Sequence, residues 1–253
     1  MNVVNGVGEG TRTVLWIVSA IMILGCFAFI AMTATASREK RHFFYASSFI
    51  VLVAATLYFA MASGYGTVVQ NGHTFYFARY IDWVITTPLL LLDLALVALP
   101  RFPGRNALLG IIIGSDVYMI LTGLVASYIR SEYRWAWYGA SCVAFIGIVY
   151  IIVTQLAPAA RQRDPLVTKL FTTLSGVLLV LWICYPIVWA LGQEGFGVVS
   201  PFVEALLYGI LDVCAKVGFG FILLSNRPAL ERVETTEAQN ATGLPSFSSA
   251  PQP

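Results

Sequence analysis

A lysine and several aspartates lie in largely apolar stretches of this chain. Lys216 follows Asp212 by four residues, and Asp82 and Asp93 lie eleven residues apart in an earlier apolar stretch. An amine placed among carboxyl groups can give a proton to one of them and recover a proton from another. The alternative is a purely structural ion pair between Lys216 and Asp212. A cation at the centre of a bilayer costs roughly 2.5–3.5 kcal/mol on insertion scales, so the lysine must have a specific role in either case.

The spacing of the polar residues in the earlier stretch predicts that they share one helix face. Arg79, Asp82, Thr86 and Asp93 follow one another at intervals of three, four and seven residues, which form one stripe on a helix. Eleven residues span about 16 Å of helix with an angular offset of about 20°. We expect Asp82 to be ionised beside the lysine, with Arg79 one turn away and Asp212 sharing the site. Asp93 has leucine neighbours, so we expect it to be protonated. Two carboxyl groups at different depths are what a proton relay requires.

Composition indicates the fold that must position these residues. Of 253 residues, 58% are hydrophobic and 11% are charged, whereas a soluble domain carries about 25% charged residues. Crossing about 30 Å of hydrocarbon takes about 20 apolar residues, and such spans are helices because lipid leaves no backbone group unpaired. We therefore predict an all-α membrane protein, a bundle of seven transmembrane helices. The predicted spans are 13–36, 43–63, 77–99, 107–128, 135–157, 168–191 and 202–225.

The distribution of basic residues predicts the orientation of the bundle. The first, third and fifth connections and the C-terminal tail carry ten Lys and Arg residues, among them Arg101, and the opposite side carries three, Arg12, Arg130 and Arg134. The positive-inside rule then puts the N-terminus outside and the C-terminus in the cytoplasm of a multi-pass protein of the cell membrane. We expect an extracellular tail over residues 1–12, a small external hairpin within 64–76, and a disordered cytoplasmic tail over 226–253.

A second set of residues predicts a binding site for a flat apolar molecule. Trp182, Tyr185 and Trp189 recur at spacings of three and four, so three large rings lie on one helix face. The alternative is an ordinary aromatic packing stripe or an interface belt. All four cysteines lie within predicted spans without paired ligand spacing, so we expect neither a disulfide framework nor a metal site.

The motifs together resemble those of microbial rhodopsins of the bacteriorhodopsin type, from the first span to Ser225. The resemblance is carried by Arg79-Tyr-Ile-Asp-Trp with Thr86-Thr-Pro-Leu-Leu-Leu-Leu-Asp, by Trp182-Ile-Cys-Tyr-Pro-Ile-Val-Trp, and by Leu211-Asp-Val-Cys-Ala-Lys-Val-Gly-Phe-Gly. It implies all-trans-retinal bound covalently to Lys216 as a protonated Schiff base. The implied function is light-driven outward proton pumping, which is ion transport and not enzymatic catalysis.

The resemblance also implies a role for individual residues. Asp82 resembles the proton acceptor and Asp93 the proton donor. Asp212 resembles the second carboxylate of the counterion, with Tyr58 bonded to it, and Arg79 resembles the residue that couples this region to the exit path. The outer pair that holds the released proton corresponds to Glu194 and Glu204, which would otherwise be solvated surface acids. The implied retinal-binding residues are Trp83, Thr87, Leu90, Asp116, Met119, Gly123, Trp137, Ser141, Trp182, Tyr185, Pro186 and Trp189.

Other interpretations of these residues remain open. A slow-cycling sensory rhodopsin that signals to a partner is the main alternative, and a retinal-free receptor or transporter is a third. Asp116 is better explained as a neutral carboxyl bonded to a neighbouring helix. The expected partners are retinal, protons and membrane lipid, with a homotrimer implied by the resemblance and no nucleic acid. Tyr138 follows Trp137 where relatives commonly have two tryptophans.

Overall fold

The structure is a computed structural model that describes residues 3–4, 7–70, 73–100, 104–129 and 131–242. The ends of the predicted tails, at 1–2 and 243–253, lie outside the described residues, as do Arg101 and Arg130.

Within the described residues, seven helices are long and apolar enough to cross a membrane, as predicted. Their bounds are α1 Glu9–Thr33, α2 Arg41–Ala62, α3 Phe77–Ala98, α4 Arg105–Tyr128, α5 Arg134–Arg161, α6 Pro165–Leu191 and α7 Pro201–Ser225. An eighth helix, α8, covers Arg227–Thr242. The short strands β1 Val3–Val4 and β2 Val7–Gly8 pair antiparallel before α1.

The helices form a closed ring in chain order. Each of α1 to α6 packs on the next helix, α7 packs on both α6 and α1, and α3 also touches α6 across the ring. Helices α3, α7 and α2 are the most buried, and α4 and α5 are the least. The polar stripe of α3 and the Lys216 segment of α7 are therefore enclosed, while the apolar outer faces are left for lipid.

The predicted hairpin between α2 and α3 is present. Strand β3, Val68–Gln70, pairs antiparallel with β4, His73–Phe75. The chain enters the hairpin from α2 through Gly66, whose φ of 68° lies in the left-handed region. A Cβ there would also come within 2.4 Å of the Ala78 side chain, so this position requires glycine.

Several helices begin earlier than the apolar stretches predict, because polar residues continue them. Helix α1 begins at Glu9 instead of residue 13, and Arg12 within its first turns donates through Nε to the Ala62 carbonyl at 3.1 Å. Helix α6 begins at Pro165, with the Asp164 side chain accepting from the Leu166 amide at 2.8 Å. A capping aspartate followed by proline is a sequence signal for a helix start.

Two helices contain wide, π-helical turns. The turn in α5 covers Ile152–Leu156 and is followed closely by Pro158. A proline ring clashes with the carbonyl four residues before it, so widening the turn relieves the contact. The turn in α7 covers Val213–Gly218 and contains Lys216. Such turns occur frequently at functional sites.

The prediction of a disordered tail is wrong for Arg227–Thr242, which forms α8. Ala229, Leu230 and Val233 lie on one face and are buried in the core of the bundle. Glu231 pairs with Lys40 at 2.5 Å, at the start of α2. The segment is mostly polar, but these three apolar residues form a face that is long enough to pack against the bundle.

Candidate functional site

The site is centred on the Lys216 amine, which is buried between two carboxylates. Its Nζ lies 2.5 Å from Asp212 Oδ1 and 3.1 Å from Asp82 Oδ2. All three side chains are fully or almost fully buried. Two carboxylates around one cation leave a net negative charge, so a proton on the nitrogen is strongly attracted to its surroundings.

The two carboxylates differ in how many donors reach them. Asp212 Oδ2 accepts from the Tyr58 hydroxyl at 2.6 Å, and Oδ1 accepts from the Tyr185 hydroxyl at 2.8 Å and from Trp83 Nε1 at 3.2 Å. Donors of this kind stabilise a carboxylate in its ionised form. Among the described residues, the one donor to Asp82 besides Lys216 is Thr86, whose hydroxyl lies 3.2 Å from Oδ1. Asp82 is therefore the carboxylate with more capacity to accept a proton.

Thr86 is held in place by its own helix. Its hydroxyl also lies 2.8 Å from the backbone carbonyl of Asp82, one turn earlier on α3. The Asp82 Oδ2 atom has no hydrogen-bond donor within the described residues apart from the lysine that faces it. The acceptor oxygen is thus directed at the amine.

Arg79 is buried on the same face but points away from Asp82. Its Nη1 lies 3.3 Å from Glu204 Oε1 and 3.7 Å from Glu194 Oε1. Both glutamates are 3% exposed, so the alternative of solvated surface acids is wrong. The Gln193 amide donates to Glu204 Oε2 at 2.7 Å. The structure thereby joins one cation to a buried pair of carboxyl groups next to the Lys216 site.

Glu194, in the connection between α6 and α7, titrates far from its ordinary range. Burial, together with the charge of Glu204, raises the pKa of Glu194 from 4.5 to about 8, although the Arg79 guanidinium opposes the shift. A carboxyl group with such a pKa carries a proton at neutral pH and can release it when its surroundings change.

Asp93 lies in a different environment farther along α3. It is 1% exposed, its Oδ2 has no hydrogen-bond partner, and it takes part in none of the ion pairs of the described residues. An isolated carboxyl group in an apolar interior favours its neutral form. Asp82 is thus paired with Lys216, whereas Asp93 Oδ2 has no partner among the described residues.

An apolar cavity lies between α3, α4, α5, α6 and α7. Trp83 and Tyr185 line the cavity and also bond Asp212, so one end lies beside the Lys216 site. The predicted residues that line the cavity are Trp83, Thr87, Met119, Gly123, Ser141, Trp182, Tyr185, Pro186 and Trp189.

Three of the predicted retinal-binding residues lie outside this lining. Trp137 is 40% exposed, and Leu90 and Asp116 are buried behind the wall. Asp116 on α4 accepts from the Thr87 hydroxyl on α3 at 2.6 Å, which confirms the expected bond to a neighbouring helix.

Several residues of the wall were not predicted. Tyr138 stacks on Trp189, with ring centroids 4.5 Å apart and an interplanar angle of 15°. The sequence signal for Tyr138 was that it follows Trp137 at a position where relatives commonly have a second tryptophan. The other unpredicted lining residues are Tyr80, Ile120, Cys142, Phe145 and Tyr208.

Comparison with known proteins identifies the family. The model of the family described as bacteriorhodopsin-like protein matches residues 9–229. The chain belongs to the bacteriorhodopsin-like family. Its sequence is 43% identical over 231 residues to the bacteriorhodopsin of Haloterrigena sp. (strain arg-4). The alignment covers 88% of this chain and 91% of that protein.

Solved structures of related rhodopsins have the same fold. The thermophilic rhodopsin from Rubrobacter xylanophilus superposes on this chain with a TM-score of 0.87 at 46% identity. The superposition covers 89% of this chain and 99% of that rhodopsin. The light-driven proton pump LR (Mac) from Leptosphaeria maculans gives a TM-score of 0.83 at 34% identity, covering 90% and 98%. This bacteriorhodopsin-like chain is thus a multi-pass membrane protein whose family implies a retinal chromophore, and its relatives include light-driven ion transporters.

Proposed function

We propose that this protein is a light-driven outward proton pump with all-trans-retinal bound to Lys216. The observation that carries the proposal is the position of the Lys216 amine between Asp82 and Asp212, because two donors to Asp212, Trp83 and Tyr185, line the aromatic cavity. The relatives that are named as proton pumps support it.

The residues present fit retinal. The cavity is almost wholly apolar and is walled by Trp83, Trp182, Tyr185 and Trp189, which would hold a long flat hydrocarbon by ring contacts. Helices α1 to α7 contain two lysines: Lys216 is buried, whereas Lys169 is exposed near the start of α6. Bound to Lys216 as a protonated Schiff base, retinal would supply absorption of visible light and a change of shape on absorbing it.

The protein's own residues define where a proton goes. The proton held at the Lys216 nitrogen moves to Asp82, because Asp212 is already satisfied by Tyr58, Tyr185 and Trp83. Neutralising Asp82 removes one negative charge from the vicinity of Arg79. The guanidinium then interacts more strongly with its other carboxyl partners and favours loss of the proton that they hold.

Release and uptake occur at different ends of the bundle. Glu194 and Glu204 release the proton on the outer side, in the orientation predicted by the basic residues. Asp93, which is neutral and isolated at rest, returns a proton to the Lys216 nitrogen from the cytoplasmic half. Export against a membrane potential costs about 2.3 kcal/mol per 100 mV, so light must supply the driving force.

The test is the direction of light-induced pH change in cells of known orientation. Cells that express the chain with retinal are illuminated in unbuffered medium, and external pH is recorded with and without a protonophore. Acidification that the protonophore abolishes, and that Asp82→Asn eliminates, is the expected result. A coloured protein that produces no pH change would refute the pump and favour the slow-cycling sensory alternative.

A further inference from the structure

Tyr208 lies between the cavity and the outer carboxyl pair. It lines the cavity, it is 1% exposed, and its ring centroid is 5.4 Å from that of Trp83. On its other side, the guanidinium carbon of Arg79 lies 4.1 Å from the centroid of the Tyr208 ring. Tyr76 also lies near that guanidinium, but at 5.2 Å. Tyr208 is therefore the closer of the two rings that hold Arg79.

Arg79 has two sets of carboxylates within the reach of its long side chain. It precedes Asp82 by three residues on the same face of α3, yet it pairs with Glu204 and Glu194. Asp82 and Arg79 carry opposite charges, so attraction alone does not explain why the guanidinium lies on the outer side. A ring face that contacts a cation removed from water supplies a strong additional attraction.

The hydroxyl group of Tyr208 does not explain the arrangement. It is buried without a hydrogen-bond partner within the described residues. The contacts that Tyr208 makes with Arg79, Trp83 and Tyr185 all use its ring. The ring, and not the hydroxyl, is thus the part of this side chain that contacts the site.

We propose that Tyr208 is a positioning residue for proton release, whose ring holds the Arg79 guanidinium beside Glu194 and Glu204. This inference rests on the proposed pump. With the ring present, Arg79 is already next to the outer pair when Asp82 becomes neutral, so the pair loses its proton promptly. Without the ring, Arg79 is free to turn toward ionised Asp82 in the dark, and it must return before release occurs.

The experiment measures when the proton appears, using a pH-sensitive dye and a laser flash on the retinal-loaded protein in lipid vesicles. In Tyr208→Leu the release is expected about tenfold later than in the wild type, because the ring contact is lost. In Tyr208→Phe, which keeps the ring, the timing is expected to stay within about twofold. The matched control is Phe219→Leu, which removes another buried ring of α7 that makes no contact with Arg79.

Ring-fluorinated phenylalanine at position 208 tests the contact without a change of shape. Fluorine weakens the negative face of the ring, so the delay is expected to grow with each fluorine added. This series gives a result even where Tyr208→Leu fails to form pigment. Delay in Tyr208→Phe equal to that in Tyr208→Leu, or no dependence on fluorine, would overturn the proposal. A wild type that does not pump refutes the proposed function instead.

Discussion

The outer carboxyl pair gives proton release a defined pH dependence. Burial and the neighbouring Glu204 raise the pKa of Glu194 to about 8. An acid with this pKa is about nine-tenths protonated at pH 7 and about one-tenth protonated at pH 9. We expect the amplitude of prompt, flash-induced release to fall by half near pH 8, because above that pH Glu194 has already lost its proton in the dark.

Two substitutions should move this midpoint in opposite directions. Arg79 lowers the pKa of Glu194 and Glu204 raises it, so Arg79→Gln shifts the midpoint to higher pH and Glu204→Gln shifts it to lower pH. The Arg79 Nη1 to Glu194 Oε1 distance is 3.7 Å. At an effective dielectric constant of about 20 this gives about 4.5 kcal/mol, or about three pKa units as an upper limit. We expect shifts of about one to three units.

The assay is the amplitude of the dye signal after a flash, measured from pH 6 to pH 10 for each variant. Glu132→Gln is the matched control, because Glu132 is an exposed carboxyl in the connection before α5. It should leave the midpoint unchanged. A shift of Arg79→Gln and Glu204→Gln in the same direction would show that the charges around Glu194 do not control its proton.

Three further predictions test other parts of the structure. Asp93→Asn should slow the return of the pigment to its dark state after a flash at least about a hundredfold, because the internal proton donor is lost. The rate of this return should fall as pH rises. A return rate that is independent of pH in flash photolysis would contradict the prediction. Tyr58→Phe removes a donor 2.6 Å from buried Asp212 and should lower the free energy of unfolding by about 1.5–3 kcal/mol, measured by denaturant titration in detergent. Leu230→Ala should weaken the docking of α8 by about 2–5 kcal/mol and admit protease to residues 227–242, with the visible absorption unchanged. Protection equal to the wild type would show that α8 is held by its polar contacts.

The number and order of the membrane helices were predictable because hydrocarbon imposes a simple requirement. About 20 apolar residues are needed for each crossing, and few other segments of a chain meet that condition. Helix ends were less predictable, because the polar residue Arg12 lies within α1 and the polar cap Asp164 begins α6 before its apolar stretch. Helix α8 was missed since Leu230 and Val233 form too short an apolar pattern to outweigh the polar residues around them.

The central residues of the site were predictable because charge is rare in apolar helices. The direction of the Arg79 side chain was not, since carboxylates lie on both sides of it and its contact with the Tyr208 ring is made between two helices, which local spacing does not reveal. The cavity wall was predicted incompletely because aromatic residues are common in membrane helices. Tyr138 and Phe145 face the cavity for reasons of helix rotation that local spacing does not reveal.

The wide turn at Val213–Gly218 makes α7 sensitive to changes of length. Asp212, before the turn, is oriented by Tyr58 and Tyr185, while Gly220, after it, lets the Phe29 ring approach so closely that a Cβ would lie 2.5 Å from it. Each residue of a helix adds about 100° of rotation. Deleting one residue from the turn would therefore leave one of these two contacts facing the wrong way. The number of residues in this segment therefore matters to the site as much as the identity of Lys216.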